Sequence, residues 1–343
     1  MNSTASILAH LPESERRRWN RPVILRKGSL APMMDLTDRH FRFWMRCFTR
    51  DLVMYTEMVS TAAILFGHTE RFLAYDPVEH PIALQFGGSD PKALAACAKI
   101  GEEVGYDEIN LNVGCPSDRV QEARIGACLM AEPELVRECV QAMLEATSLP
   151  VTVKTRLGID NRDSYEELCD FVHTVEKSGC RFFTLHARKA WLSGLSPKQN
   201  RDIPPLRYDW VYRFKEEHPH LWIEINGGIK TCSDIEAHLK HVDSTMLGRC
   251  CYDNPWVLKD FDKTFGSGED LGLTRWEALL KYNEHVRAEL QLGRPLKVLT
   301  KPILNLYQGV PGAKQWRQLI SQPVLQDLKA WETMMMWAEQ KGI

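Results

Sequence analysis

A thiol stands where the chain must turn. Residues 108–120 read EINLNVGCPSDRV, an alternating apolar segment that runs into Gly114-Cys115-Pro116. A cysteine inside such a strand would serve as a small core residue. One just past its end faces whatever lies above the sheet, where a thiol can be an acid, a nucleophile or a packed side chain; the residues alone leave all three open. Other reactive types recur at the ends of short apolar runs: Gln85, Asn112, Lys154, His186, Asn226 and Arg249. Any one alone is ordinary, since a lone lysine is most often a solvated charge and a lone histidine a satisfied core residue. The set is informative if one fold brings all these ends together.

The spacing of the apolar runs supplies such a fold. Strands are predicted at Ser29–Met34, Leu52–Tyr55, Ile82–Phe86, Glu108–Asn112, Val151–Thr155, Arg181–His186, Trp222–Asn226 and Ser244–Leu247. Between them, helical patterns run over Asp38–Phe48, Pro91–Gly105, Pro133–Thr147, Ser164–Ser178 and Ser233–His241. Pro91 and Pro133 suit first helical turns, and Gly105 and Gly179 suit helix ends. Strand followed by helix, eight times over about 230 residues, predicts an α/β fold, a TIM (β/α)8 barrel, over an open doubly wound sheet. In that barrel the strand ends share one mouth.

Beyond FGSGED the pattern changes to helices at Leu273–Leu292 and Gln315–Lys341. The division expected is an N-terminal extension over 1–22, read as mobile, a barrel over 23–263 and a small all-helical domain over 270–343. From Gly272 onward ten Lys/Arg face six Asp/Glu, whereas the whole chain is at −2, so the helical part carries the positive charge. That asymmetry points to an anionic partner, with a merely solvated surface as the bland reading. No apolar run reaches 18 residues and the N-terminus lacks a secretory h-region, so neither membrane span nor export is expected. Ten cysteines without a C-x-x-C pair or zinc-like spacing fit reduced thiols in a cytoplasmic protein and no metal site.

At the mouth, two glycine-bearing tips follow the seventh and eighth predicted strands: Asn226-Gly227-Gly228 and Gly248-Arg249. Barrels commonly bind phosphate there, through close backbone N–H groups and a cation. Lys154 and Gln85 point to a flavin as the rest of that ligand. A cation stabilises the negative charge of a reduced flavin ring, an amide can read its edge, and Pro32-Met33-Met34 offers an apolar wall.

With these residues assembled, the chain resembles the tRNA-dihydrouridine synthases, most closely the A subgroup that acts on uridines 20 and 20a of the D-loop. The matching stretches are LAPMMDLTDRHFR, QFGGSDP, NLNVGCPSDRV, GACLM, VTVKTRLGID, HARKAWLSGLSPKQNRDIPPL, INGGI and MLGRCCYDNPW, in order from about Leu30 to Trp256. The resemblance implies an FMN-binding barrel, a helical tRNA-binding domain and electrons from NADPH. By position, FMN would contact Pro32, Met33, Met34, Gln85, Lys154, His186, Asn226, Gly227, Gly228, Gly248 and Arg249. Cys115 would be the catalytic acid, and Asn112 would help hold the target base. Lys198 and Arg201 would touch tRNA, and Lys314 and Arg317 are expected on the basic face of the helical domain. A monomer is expected. The rival readings are a small-molecule flavin reductase on the same barrel and a non-catalytic RNA-binding protein.

Overall fold

The strands are short because each carries only the residues that line one barrel wall. In the computed structural model, which describes residues 4–9, 11–321 and 327–341, they are β1 (Gly28–Leu30), β2 (Met54–Tyr55), β3 (Val59–Ser60), β4 (Ile82–Gly87), β5 (Glu108–Val113), β6 (Val151–Arg156), β7 (Phe182–His186), β8 (Trp222–Asn226) and β9 (Ser244–Leu247). All pair in parallel, in the order β1-β9-β8-β7-β6-β5-β4-β2, with β3 on the upper half of β4. Leu30 N–H donates to Val53 O at 2.8 Å and Val53 N–H to Gly28 O at 3.2 Å, so the ring closes. Helices flank it, the TIM-barrel arrangement.

Three expectations change in detail. The first strand stops at Leu30 rather than Met34: Pro32 has no N–H to give a ladder, and Asp35 sits at φ 62°. The second strand position is split, β2 pairing with Ile82–Ala83 and β3 with Phe86–Gly87. Where it is described, the end of the N-terminal segment before Arg21 packs on the barrel. Trp19 is fully buried, its ring 6.2 Å from that of Trp222 at the start of β8, and Arg18 donates to Leu144 O at 2.8 Å and Thr147 O at 2.6 Å.

The lower barrel is filled by an ion cluster. Arg26 donates to Glu108 at 2.5 Å and to Glu224 at 3.0 Å, with all three side chains fully buried. Tyr55, Ser29, Thr184 and Ser244 hydroxyls complete the two carboxylates. Buried charges persist only when paired and hydrogen-bonded to this degree.

The C-terminal helices are Arg275–Gln291, Leu296–Thr300, Ala313–Ser321 and Leu328–Lys341. The helical stretch expected over 315–341 is helix over Ala313–Ser321 and Leu328–Lys341, and residues 322–326 lie outside those described. The first of the four packs on the helix Arg39–Arg46: Phe43 stacks on His285 with centroids 4.2 Å apart, Trp44 meets Tyr282 edge-on, and Arg39 pairs with Glu289. Lys301 donates to the Asp35 carbonyl and Asn305 to Tyr252 O, so this helical unit sits beside the barrel mouth.

Between the two parts, His40 Nδ1 and His285 Nε2 lie 2.9 Å apart. Burial lowers both to about 4, helped at His40 by the Arg39, Arg294 and Arg42 guanidiniums and at His285 by His40 and Arg39. Well above pH 6.5 both are neutral folded or unfolded. As pH falls from 6.5 toward 4, the unfolded chain takes up protons that the folded one refuses, so stability is lost on the acid side. Each histidine contributes up to about 3 kcal/mol of that loss. Urea midpoints between pH 7.5 and 4.5 check it: His285→Gln should flatten the slope.

Candidate active site

Strand register sets the upper layer of the barrel. Asn112 on β5 is paired with Lys154 on β6, and His186 on β7 with Asn226 on β8. These side chains therefore crowd the mouth. Lys154 Nζ donates to Asn226 Oδ1 at 3.1 Å, and Asn226 Nδ2 to Met246 O at 2.8 Å. Lys154 keeps some open space at the mouth, yet its ammonium lies deep enough that burial, followed by the Arg156 guanidinium, lowers it to about 8. His186 is held well below its usual value by burial and then by Arg156, Lys154, Arg188 and Arg201, which keeps the imidazole neutral.

The turn that presents Cys115 is fixed at every backbone group. Asn112 Oδ1 accepts from Gly114 N–H at 3.1 Å and Cys115 N–H at 3.0 Å. Arg156 Nε holds Gly114 O at 2.9 Å, Ala127 N–H holds Cys115 O at 2.9 Å, and Gln121 holds Pro116 O at 3.0 Å. Gly126, at φ 77°, makes room: a Cβ there would lie 2.6 Å from Cys115 O. This accounts for GACLM as the wall behind the thiol. Cys115 is partly exposed, with Ser117 Oγ 3.6 Å from its sulfur.

A one-way chain of hydrogen bonds joins this turn to the floor. Asn112 Nδ2 donates to Gln85 Oε1 at 2.8 Å, Gln85 Nε2 to Asn110 Oδ1 at 2.8 Å, Asn110 Nδ2 to Thr152 Oγ1 at 2.7 Å, and Thr152 to Glu108 at 2.6 Å. Such chains strengthen one another at low dielectric. Asn112 thus positions the cysteine turn and retains one free N–H for a ligand; Gln85, fully buried, likewise keeps one N–H beyond its Asn110 bond.

Above the mouth lies the segment 187–207. Asn200, fully buried, ties it together through Trp191 N–H at 2.8 Å, Trp191 O at 2.9 Å and Leu195 O at 3.2 Å. Lys198 and Arg201 remain exposed on it. Its Asp202 accepts from Arg249 at 3.0 Å, so the tip of β9 and this segment meet. Lys189 is engaged instead with Asp163 at 2.8 Å and Trp191, which removes it from the free cations. Lys314 and Arg317 lie apart from this network, on Ala313–Ser321, with Arg317 donating to Gln308.

The residues fit an anionic, partly apolar cofactor. Lys154 is a deeply placed cation with one bonded partner, Asn226. A Cβ on Gly248 would meet only Ala31 Cβ and Met33 Sδ, both at 3.9 Å, so an open cradle faces an apolar wall. Met34 is 55% exposed beside it in sequence. Gly227 and Gly228, at φ 109° and 76°, are required by the protein itself, because side chains there would strike His186 and Tyr208.

The sequence profile of the family described as Dihydrouridine synthase (Dus) matches residues 29–336. The chain belongs to the dihydrouridine synthase family. Its similarity to individual members of the dihydrouridine synthases is high: 53% identity over 297 residues to the tRNA-dihydrouridine(20/20a) synthase of Synechocystis sp., covering 87% of this chain and 89% of that one. The proteins of the same name from Escherichia coli K12 and Vibrio cholerae share 51% over 313 residues and 54% over 295 residues, covering 91% and 86% of this chain and 89% and 90% of theirs. Sequence reading left Arg156, at the tip of the fifth predicted strand, without a role, and missed Gln121 and Asn200. Arg156 and Gln121 reach carbonyls as far as 44 and 71 positions away in sequence, and Asn200 ties groups of its own irregular segment 5 and 9 positions away; none of these contacts has a sequence pattern, although Arg156 stands at a strand tip.

Proposed function

We propose that the chain reduces uridine to 5,6-dihydrouridine at positions 20 and 20a of the tRNA D-loop, holding FMN and drawing electrons from NADPH. One observation carries the reading: a thiol fixed on a fully hydrogen-bonded turn shares the barrel mouth with Lys154, a buried cation that has spare donors. Pro32, Met33, Met34, Gln85, Lys154, His186, Asn226, Gly227, Gly228, Gly248 and Arg249 are the residues that would hold the cofactor. When bound and reduced, a flavin supplies hydride to an electron-poor double bond.

The protein's own groups do the rest. Uracil C5=C6 is conjugated with the C4 carbonyl, so hydride at C6 leaves enolate charge toward C5 and O4. Cys115 Sγ–H gives its proton to C5, as a general acid positioned by its turn. Asn112, with one N–H left over, can donate to the base. Lys198, Arg201, Lys314 and Arg317 bind tRNA backbone, because a uridine stacked in a folded tRNA must be extruded to reach the mouth. Affinity for tRNA should therefore fall steeply as salt rises. The reduced thiols and the tRNA substrate support a cytoplasmic location.

The test that separates this reading from a small-molecule reductase is flavin reoxidation. Purified protein reduced anaerobically with NADPH should be reoxidised by unmodified tRNA and not by simple enones; the reverse preference sinks the reading. Lys154→Met should weaken FMN binding tenfold to about a hundredfold, the loss of a charge-assisted bond. Fluorescence titration of the apoprotein reads it, and unchanged affinity would remove Lys154 from the site.

A further inference from the structure

Gln121 belongs to the short helix Asp118–Glu122, just beyond the cysteine turn. Its amide donates to two carbonyls, Pro116 O at 3.0 Å and Leu192 O at 2.7 Å. Leu192 lies in the segment 187–207, the one that carries Lys198 and Arg201. Arg156 makes the matching connection from the other side. Its Nε donates to Gly114 O at 2.9 Å, and its Nη1 to both Lys189 O and Asn200 O at 3.0 Å. The two carbonyls that flank Cys115 are therefore each tied, through one side chain, to the same basic segment. Asn200 ties two stretches of that segment together, bonding Trp191 through both its N–H and its carbonyl.

We propose that Gln121 is a positioning residue that couples the seating of the basic segment on tRNA to the placement of the Cys115 thiol. The inference rests on the assignment of Cys115 as the acid. With the segment seated, Gln121 and Arg156 hold the turn from both sides and the sulfur stays at its donating position. Without the Gln121 bridge, Pro116 O loses its side-chain donor and the turn is anchored to the segment on one side only. The effect belongs to the proton-transfer step rather than to tRNA capture, since Arg156, Asn200 and the Arg249–Asp202 pair still hold the segment on the barrel.

Gln121→Glu keeps the shape and replaces the donor with acceptors aimed at two carbonyls; Gln121→Lys restores a donor. The expected result is a fall in kcat of tenfold or more for the Glu variant, with KM for tRNA within about threefold, and recovery of most of kcat in the Lys variant. Alkylation of Cys115 by iodoacetamide, followed by peptide mass spectrometry, should change rate several-fold in the Glu variant and return in the Lys variant. Gln121→Ala, which adds no charge, is measured beside them and replaces the Glu variant if that charge lowers the melting temperature. Unchanged kcat and alkylation in the Glu and Ala variants, with Cys115→Ala inactive, would overturn the coupling alone. A Lys variant as impaired as the Glu variant would also overturn it. Full activity of Cys115→Ala would remove the acid assignment and the coupling with it.

Discussion

Cys115→Ala is expected to lower the rate of uridine reduction by about 10²- to 10⁴-fold, the usual contribution of a positioned general acid. The size follows from geometry. Five hydrogen bonds fix the backbone from Gly114 to Pro116, so the turn that carries the sulfur is held in place. Ser117 Oγ is 3.6 Å from the sulfur, and a hydroxyl is too weak an acid to replace it. Cys115→Ser should therefore also lose most activity. Single-turnover reaction of NADPH-reduced enzyme with unmodified tRNA isolates the step, because the thiol has no part in NADPH oxidation. A loss under threefold in both variants would mean that another group protonates C5.

Arg26→Met is expected to cost the fold about 3–5 kcal/mol, the penalty for breaking a buried ion cluster by removing one partner. Glu108 and Glu224 would then face each other's hydroxyl ligands without their shared cation, in a floor where all three side chains are fully buried. Burial alone would raise the Glu224 carboxyl; Arg26, with Thr184 and Ser29, outweighs it and holds it below the usual range. A depressed carboxylate contributes stability above its unfolded value of about 4.5, and loses it as pH falls further. In Arg26→Met that contribution should vanish or reverse, so the variant is relatively less impaired at acid pH. Urea unfolding at pH 7.5 and at a pH below about 4 measures both effects. A change below about 1 kcal/mol at pH 7.5 would contradict the role of the cluster.

The sequence exposed the site unevenly, for physical reasons. Cys115, Lys154, His186 and Asn226 were legible because parallel strands end abruptly and the next residue has nowhere to be except the mouth. Arg249 was legible as a cation at a glycine turn; its pairing with Asp202, 47 positions away in sequence, was not. Arg26 precedes the first strand and reads as an ordinary surface charge, although it plugs the barrel floor. Its carboxylate partners Glu108 and Glu224 were visible only as charges inside apolar strands. Trp19 follows a charged stretch, Glu13 to Arg18, that hides the packing of its indole on Trp222. The first strand reads too long in the sequence because Ala31-Pro32-Met33-Met34 is apolar, and apolarity does not reveal that the backbone has left the sheet.

The central claim is that one thiol and one bound redox group act on a uridine drawn into the barrel mouth. The direct measurement is nucleotide-resolution mapping of dihydrouridine in unmodified tRNA after reaction with the purified protein, FMN and NADPH, beside Cys115→Ala. The account predicts dihydrouridine at positions 20 and 20a with the native protein and almost none with the variant. Equal modification by both proteins, or none at either position with the native one, would contradict it.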